Sequence, residues 1–458
     1  MIWADPTDLY RENASSHHHI VSSSHRHALF LMKLLFRSVH IVDKGSAHNT
    51  RTADILIENG IIAGIGEGLD AGGAEVYEEG GLHVSPGWID MRVALRDPGR
   101  EQEEDLSSLK ETAARGGFTG ILLLPNSQPA VDSKGALKYI LKEGQSGAID
   151  FFPTAAVTKG AEGKDFTEMI DLRHAGAIAF TDGVNPINNG DIFLKSLLYL
   201  QPMNVLLINR PEDQYLSMYG QMHEGTTSTS LGLKGIPSLS EEMMIVRDLQ
   251  LLEYALDGTD KSRIQSPVLH FSLLSAARSV ELIREAKQKG LPVSCDIAAH
   301  QLAFEDTALT GFDTNLKVSP PFRSAADNAA LRQGLSDGTI DTIVSDHSPQ
   351  PPQNKDTEFD HAEFGITALE TAFSLALMHS GLATGDIVDL FTRQPRRILG
   401  LHEAVIKEGE KANLTFFIPE REWLFSGTQS KSQNTPFLHQ KLTGYVKGIF
   451  NRSQLEWF

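Results

Sequence analysis

From Gly87 onward, short apolar runs alternate with amphipathic stretches, and the number of runs limits what the chain can fold into. The runs are Trp88 to Leu95, Gly120 to Leu124, Phe151 to Val157, Ala177 to Phe180, Asn204 to Ile208, Pro267 to Leu273, Pro292 to Ile297 and Asp341 to Val344. Between them, Leu106 to Gly116, Lys134 to Glu143, Glu241 to Leu256 and Ala276 to Gly290 carry apolar residues at helical spacing. Eight strands separated by helices predict a parallel (β/α)8 barrel. The interval between the fifth and sixth runs is about twice the others, so Tyr215 to Pro237, rich in Gly, Ser and Thr, reads as an insertion over the barrel mouth.

The segment before the barrel has another rhythm. Leu34-Leu35-Phe36, Ser38 to Val42 and Ala53 to Ile57 read as strands, and Asn59-Gly60 is a hairpin turn. Residues 1–31 hold His17, His18, His19, His25 and His27 among serines without apolar periodicity. They read as a disordered extension, or as the result of a start assigned upstream of Met32, rather than as a metal-binding tract.

At 458 residues and 41% hydrophobic, the chain has ample core for one large barrel with a small appended domain. A formal net charge of -18 argues against a nucleic-acid or anionic-membrane surface. One cysteine, Cys295, excludes a disulfide framework and a cysteine metal cluster, which suits the cytoplasm. No apolar run approaches the ~20 residues that span a bilayer.

In such a barrel the site is built at the C-terminal ends of the strands. There the sequence places Arg92, Ala94 and Arg96 (first strand), Asn126 (second), Asp182 (fourth), Asn209 to Asp213 (fifth), His270 to Ser275 (sixth) and Ser345-Asp346-His347 (eighth). A polar residue at one strand end is often an ordinary cap; six such ends together read as a site.

Several phrases carry a resemblance. They are Pro86-Gly87-Trp88-Ile89-Asp90 with Leu95-Arg96-Asp97-Pro98-Gly99, Leu124-Pro125-Asn126-Ser127 with Pro129, Val157-Thr158-Lys159-Gly160, Leu316 to Arg323, Ser345-Asp346-His347, Phe364 to Thr371, and Lys431 to Phe437. In this order they resemble the class I dihydroorotases of the amidohydrolase superfamily, which interconvert dihydroorotate and N-carbamoyl aspartate. The resemblance implies a barrel over residues 86–410 and a discontinuous β-sandwich from residues 32–85 and 411–458.

It also implies a metal centre that this chain has largely lost. The family's two strand-one histidines, two residues apart, fall at Arg92 and Ala94; its later histidines fall at Arg210 and Leu273. Only the bridging carboxylate, at Asp182, and the ligand and general base, at Asp346, persist. Arginine stays protonated and alanine and leucine carry no donor. Two carboxylates alone hold zinc poorly, so no cofactor is expected although the family uses zinc. His270, three residues before Leu273, is read as a satisfied core histidine. Arg92 and Arg210 are expected to pair with Asp182 and Asp346, supplying the positive charge of the missing metals.

The family's substrate-binding positions survive as Arg96, Asn126 and His347, while a further family asparagine falls at Ser319. Three functions follow from the resemblance: a non-catalytic homolog acting as a structural partner of aspartate transcarbamoylase; a metal-free binding protein for dihydroorotate or a related acid; and a working dihydroorotase with an atypical site. The four missing histidines favour the first, in which Asp346 is a vestigial general base. A homo-oligomer is also expected.

Overall fold

The structure, a computed structural model, describes residues 32–259, 264 and 266–458. The histidine-rich segment 1–31 lies outside the described residues. Among the described residues no helix is long and apolar enough to cross a membrane.

Eight strands form the barrel: β1 (Trp88–Val93), β2 (Phe118–Leu123), β3 (Asp150–Pro153), β4 (Ala179–Phe180), β5 (Leu206–Asn209), β6 (Leu269–Phe271), β7 (Val293–Ala298) and β8 (Thr342–Val344). Each pairs in parallel with its neighbour, β1 through β3 in one run and β4 through β8 in another. Single parallel bridges close the ring, Ala155 to Phe180 between the extension of β3 and β4, and His347 to Val93 between the extension of β8 and β1. All eight predicted runs are strands. Nearly every strand residue is buried on both faces, which explains why they read as continuous apolar runs instead of alternating ones.

The helices fall where the apolar spacing places them. Leu106–Arg115 begins at Asp105, whose carboxylate accepts from the Ser107 and Ser108 N–H groups, and Lys134–Glu143 begins at Ser133, whose hydroxyl accepts from Ala136 N–H. Longer helices span Leu239–Ala255 and Ala277–Gln288. The insertion contains a short helix, Thr226–Leu231, and two short parallel strands, Met222–His223 and Gly235–Ile236. Arg323, in the loop after β7, fastens it by donating to the Ile236 carbonyl at 2.7 Å.

Both chain segments outside the barrel share one sheet. Its strands run in the order Gln454–Trp457, Lys441–Asn451, Leu414–Leu424, His83–Pro86, Lys33–Ile41, Thr52–Glu58 and Ile61–Gly66, with Glu75–Glu78 also paired to Lys33–Ile41. Antiparallel pairing of Ser85 with Thr415 and of Val84 with Phe416 joins the segments. Phe36, Ile41, Ile55, Phe416 and Phe450 form its core. Two apolar runs around Phe36 and Val39 prove to be one strand, bent at a register shift where Ser38 adopts a φ of 50°. Asn59 and Gly60 both take positive φ, as a tight hairpin turn requires. Residues 425–440 leave this sheet and reach the barrel's C-terminal face, where Ser430 hydrogen-bonds Glu104.

Candidate functional site

Arg92 lies next to the last residue of β1, with its guanidinium inside the ring of strand ends. Its Nε meets Asp346 Oδ1 at 2.9 Å, and Nη1 donates to Ser272 Oγ at 3.3 Å. One buried side chain therefore ties the ends of β1, β6 and β8. Asp90 positions both partners from below, accepting from Arg92 N at 2.8 Å and from Ser345 N at 2.9 Å. Burial pushes the Asp90 carboxyl up to about 7 against those hydrogen bonds. Asp346 itself takes a φ of 52° in the turn after β8. Burial would raise its pKa, but His300 and Arg92 beside it win and hold it below the usual carboxylate range.

A second layer supports the first. Ser272 Oγ donates to Asp296 Oδ2 at 3.0 Å, and the same carboxylate accepts from Leu273 N at 2.6 Å. His270 is fully buried, with Nδ1 2.8 Å from Ser294 Oγ and Nε2 2.9 Å from Asp296 Oδ2. Both ring nitrogens are engaged in the core, as expected. Leu273 is buried at the position the resemblance gives to an imidazole, in a left-handed turn with φ 66°.

The expected pairing of Arg210 with a site carboxylate does not form. Arg210 instead contacts Glu212 and Ser319 through Nη2 and donates to the Val184 carbonyl at 3.2 Å through Nη1. Glu212, two residues on, is partly exposed, and its pair with Arg210 is more open to solvent than that of Arg92 with Asp346. Asp182 is satisfied without any arginine: Thr158, at the end of the β3 extension, donates its N–H to Oδ1 at 3.0 Å and its hydroxyl to Oδ2 at 2.6 Å. Burial outweighs these two bonds and raises the Asp182 pKa.

Arg96, Asn126 and His347 reach the same end of the barrel, each held by protein groups. Arg96 Nε lies 2.9 Å from Glu103 Oε2, off the N–H axis, so the contact is an ion pair without an aligned hydrogen bond. Its Nη2 donates to Ser348 Oγ at 3.0 Å and to the Pro349 carbonyl at 3.2 Å. Burial, with Arg100 nearby, lowers its pKa to about 10. Asn126 clamps the loop after β4, donating to Asp182 O at 3.0 Å and accepting from Val184 N at 3.0 Å. Gly183 fits under that clamp because a Cβ there would strike Asn126 Oδ1. His347 Nδ1 accepts from Ala368 N at 3.2 Å, which leaves the ring proton on Nε2, 3.2 Å from Glu104 Oε2.

Several site residues escape the strand-by-strand reading. Thr158 and His300 follow the third and seventh strands, the two ends that reading omits; His300 is fully buried, and neither ring nitrogen makes a hydrogen bond among the described residues. Glu103 and Glu104 stand as adjacent carboxylates just after Arg96 and are both buried. That adjacency was the available signal.

The donor set does not fit a divalent metal. Where the resemblance brings four imidazoles and two carboxylates together, only Asp182 and Asp346 carry donors, and the Arg92 guanidinium occupies Asp346 Oδ1. Among the described residues no three His, Cys, Asp or Glu side chains converge as a metal would need. The arrangement is a buried electrostatic plug: Arg92 neutralises Asp346, at two positions to which the resemblance gives metal ligands.

Comparison with known proteins shows the family and the fold. Residues 81–266 match the family described as Dihydro-orotase-like. The chain is 39% identical over 420 residues to the dihydroorotase of Geobacter sp. (strain M21), covering 90% of this chain and 96% of that one. It is 40% identical over 419 residues to the dihydroorotase of Pelotomaculum thermopropionicum, with the same coverage. Among solved structures it is similar to the L-hydantoinase (dihydropyrimidinase) of Arthrobacter aurescens, with a TM-score of 0.78 at 22% identity over 93% of this chain and 97% of that one. A D-hydantoinase crystal structure gives 0.76 at 22% identity, over 93% of this chain and 95% of the other. These likenesses show the fold, a (β/α)8 barrel with a β-sandwich.

Proposed function

The chain belongs to the dihydroorotase family, and from that membership we propose that it is a non-catalytic member, a structural partner for an active pyrimidine-pathway enzyme, aspartate transcarbamoylase. The observation that carries the reading is the 2.9 Å ion pair between Arg92 and Asp346. Family members cleave an unactivated ring amide with water activated by zinc, which lowers the pKa of the bound water. Here the general-base position is bound to a guanidinium. With its Oδ1 hydrogen-bonded and its charge balanced, Asp346 is a poor proton acceptor and a poor ligand.

Two further features support the reading. Helix Leu239–Ala255 exposes Leu239, Met243, Val246 and Tyr254 at helical spacing, next to exposed Leu198 and Tyr199 on the helix Gly190–Leu200 packed beside it. An uncovered apolar stripe of this kind suits a protein partner. Arg96 is paired with Glu103, Asn126 with the 182–184 loop and His347 with Glu104, so each is engaged by protein groups, which weighs against a role in binding dihydroorotate.

A tagged pull-down from the native host tests the partner reading and should recover aspartate transcarbamoylase. Recovery of no pyrimidine-pathway enzyme, together with calorimetric binding of dihydroorotate that is lost in Arg96→Ala, would replace it with the ligand-binding reading.

A further inference from the structure

Arg396 lies at the other end of the barrel from Arg92. It sits on the helix Arg393–Leu399 and is only 4% exposed. Among the described residues its side chain makes one hydrogen bond, from Nη1 to the Thr392 carbonyl at 2.9 Å, and Asp150 and Asp43 act on it only through space. A guanidinium carries five N–H groups in a planar fork, so most of its donors have no protein acceptor.

These donors belong to a residue that lines a cavity of about 660 Å³ between the starts of β1 to β3 and the segment 401–413 leading to the sheet. The volume is in the range of small-molecule sites. Ile89, Phe152, Leu401 and Val405 give it an apolar wall, with the Thr119 hydroxyl at the strand ends. Of the acidic residues around it, Asp150 is committed to Arg452 at 2.5 Å and Asn451 at 2.9 Å, while Glu403 and Glu410 are solvent-exposed, like Lys411. A buried cation without a carboxylate partner is costly, and a planar fork facing an apolar chamber matches a carboxylate or phosphate group.

We propose that this cavity binds a small organic anion, with its carboxylate or phosphate group on Arg396 and its apolar body against Ile89, Phe152 and Leu401. The site is independent of the Arg92 and Asp346 plug and of the partner reading.

Calorimetry on the full chain with three probes tests it: benzoate, inorganic phosphate and neutral benzyl alcohol. Saturable binding of benzoate supports a carboxylate ligand and of phosphate a phosphate ligand, each weakened roughly tenfold or more in Arg396→Met and less in Arg396→Lys. Benzyl alcohol should bind at least roughly tenfold more weakly than benzoate. If Arg396→Met does not fold, the comparison of probes on the unaltered chain and the Arg396→Lys titration decide. The proposal is overturned if neither anion binds saturably, if the neutral probe binds as tightly as the anions, or if Arg396 substitution leaves affinity unchanged.

Discussion

His300 Nε2 lies 3.7 Å from Asp346 Oδ2, the carboxylate oxygen that Arg92 leaves free. The two cation-capable groups flank one buried acid and together hold its pKa down despite burial. The sign of the resulting pH dependence follows. A depressed folded pKa contributes stability that is complete above the unfolded carboxylate range, about pH 4, and is lost as pH falls through the folded value. Urea midpoints measured from pH 7 downward should therefore fall below about pH 4, with that part of the fall reduced in Asp346→Asn. Parallel curves for the two proteins would show that Asp346 does not contribute.

Removing Arg92 should be expensive. Arg92→Ala leaves Asp346 buried beside a cavity, at a cost of about 3 kcal/mol. Adding Asp346→Asn should recover part of the loss, whereas adding Asp182→Asn should recover none, since Asp182 is held by Thr158. Denaturant unfolding of the single and double variants measures the coupling.

Arg210→Ala should behave differently. Its pair with Glu212 is more exposed than that of Arg92 with Asp346, so the loss should be smaller than that of Arg92→Ala. Equal losses for the two arginine variants would mean that Arg210 also neutralises the barrel interior.

Thr158→Val removes the 2.6 Å bond to Asp182 and leaves one carboxylate oxygen without its donor. A cost of about 1 to 3 kcal/mol is expected at neutral pH. Because the folded pKa of Asp182 is already raised, its contribution to stability declines as pH rises from the unfolded carboxylate range through that folded value. Thr158→Val raises it further, so the variant should lose more stability at pH 8 than at pH 5, and a loss independent of pH would refute the assignment.

The barrel was legible because each strand is buried on both faces and leaves an unbroken apolar run, as in Val293–Ala298. That Arg92 meets one of the two carboxylates was legible too; which one follows from the ring, which brings the ends of β1 and β8 together. The partner of Arg210 was not, since it depends on the path of the loop that brings Glu212 and Ser319 beside it. Nor was the setting of His347: its partner Glu104 is 243 residues away, and Ser430, which also reaches Glu104, comes from the sheet's own segment 326 residues on. Local pattern carries no trace of contacts between loops so far apart.

The central claim is that a guanidinium stands where the family holds metal, and the direct test is elemental analysis of the purified chain alongside a dihydroorotate turnover assay with and without chelator. The account predicts no stoichiometric zinc and no hydrolysis. Stoichiometric zinc with chelator-sensitive turnover would contradict it.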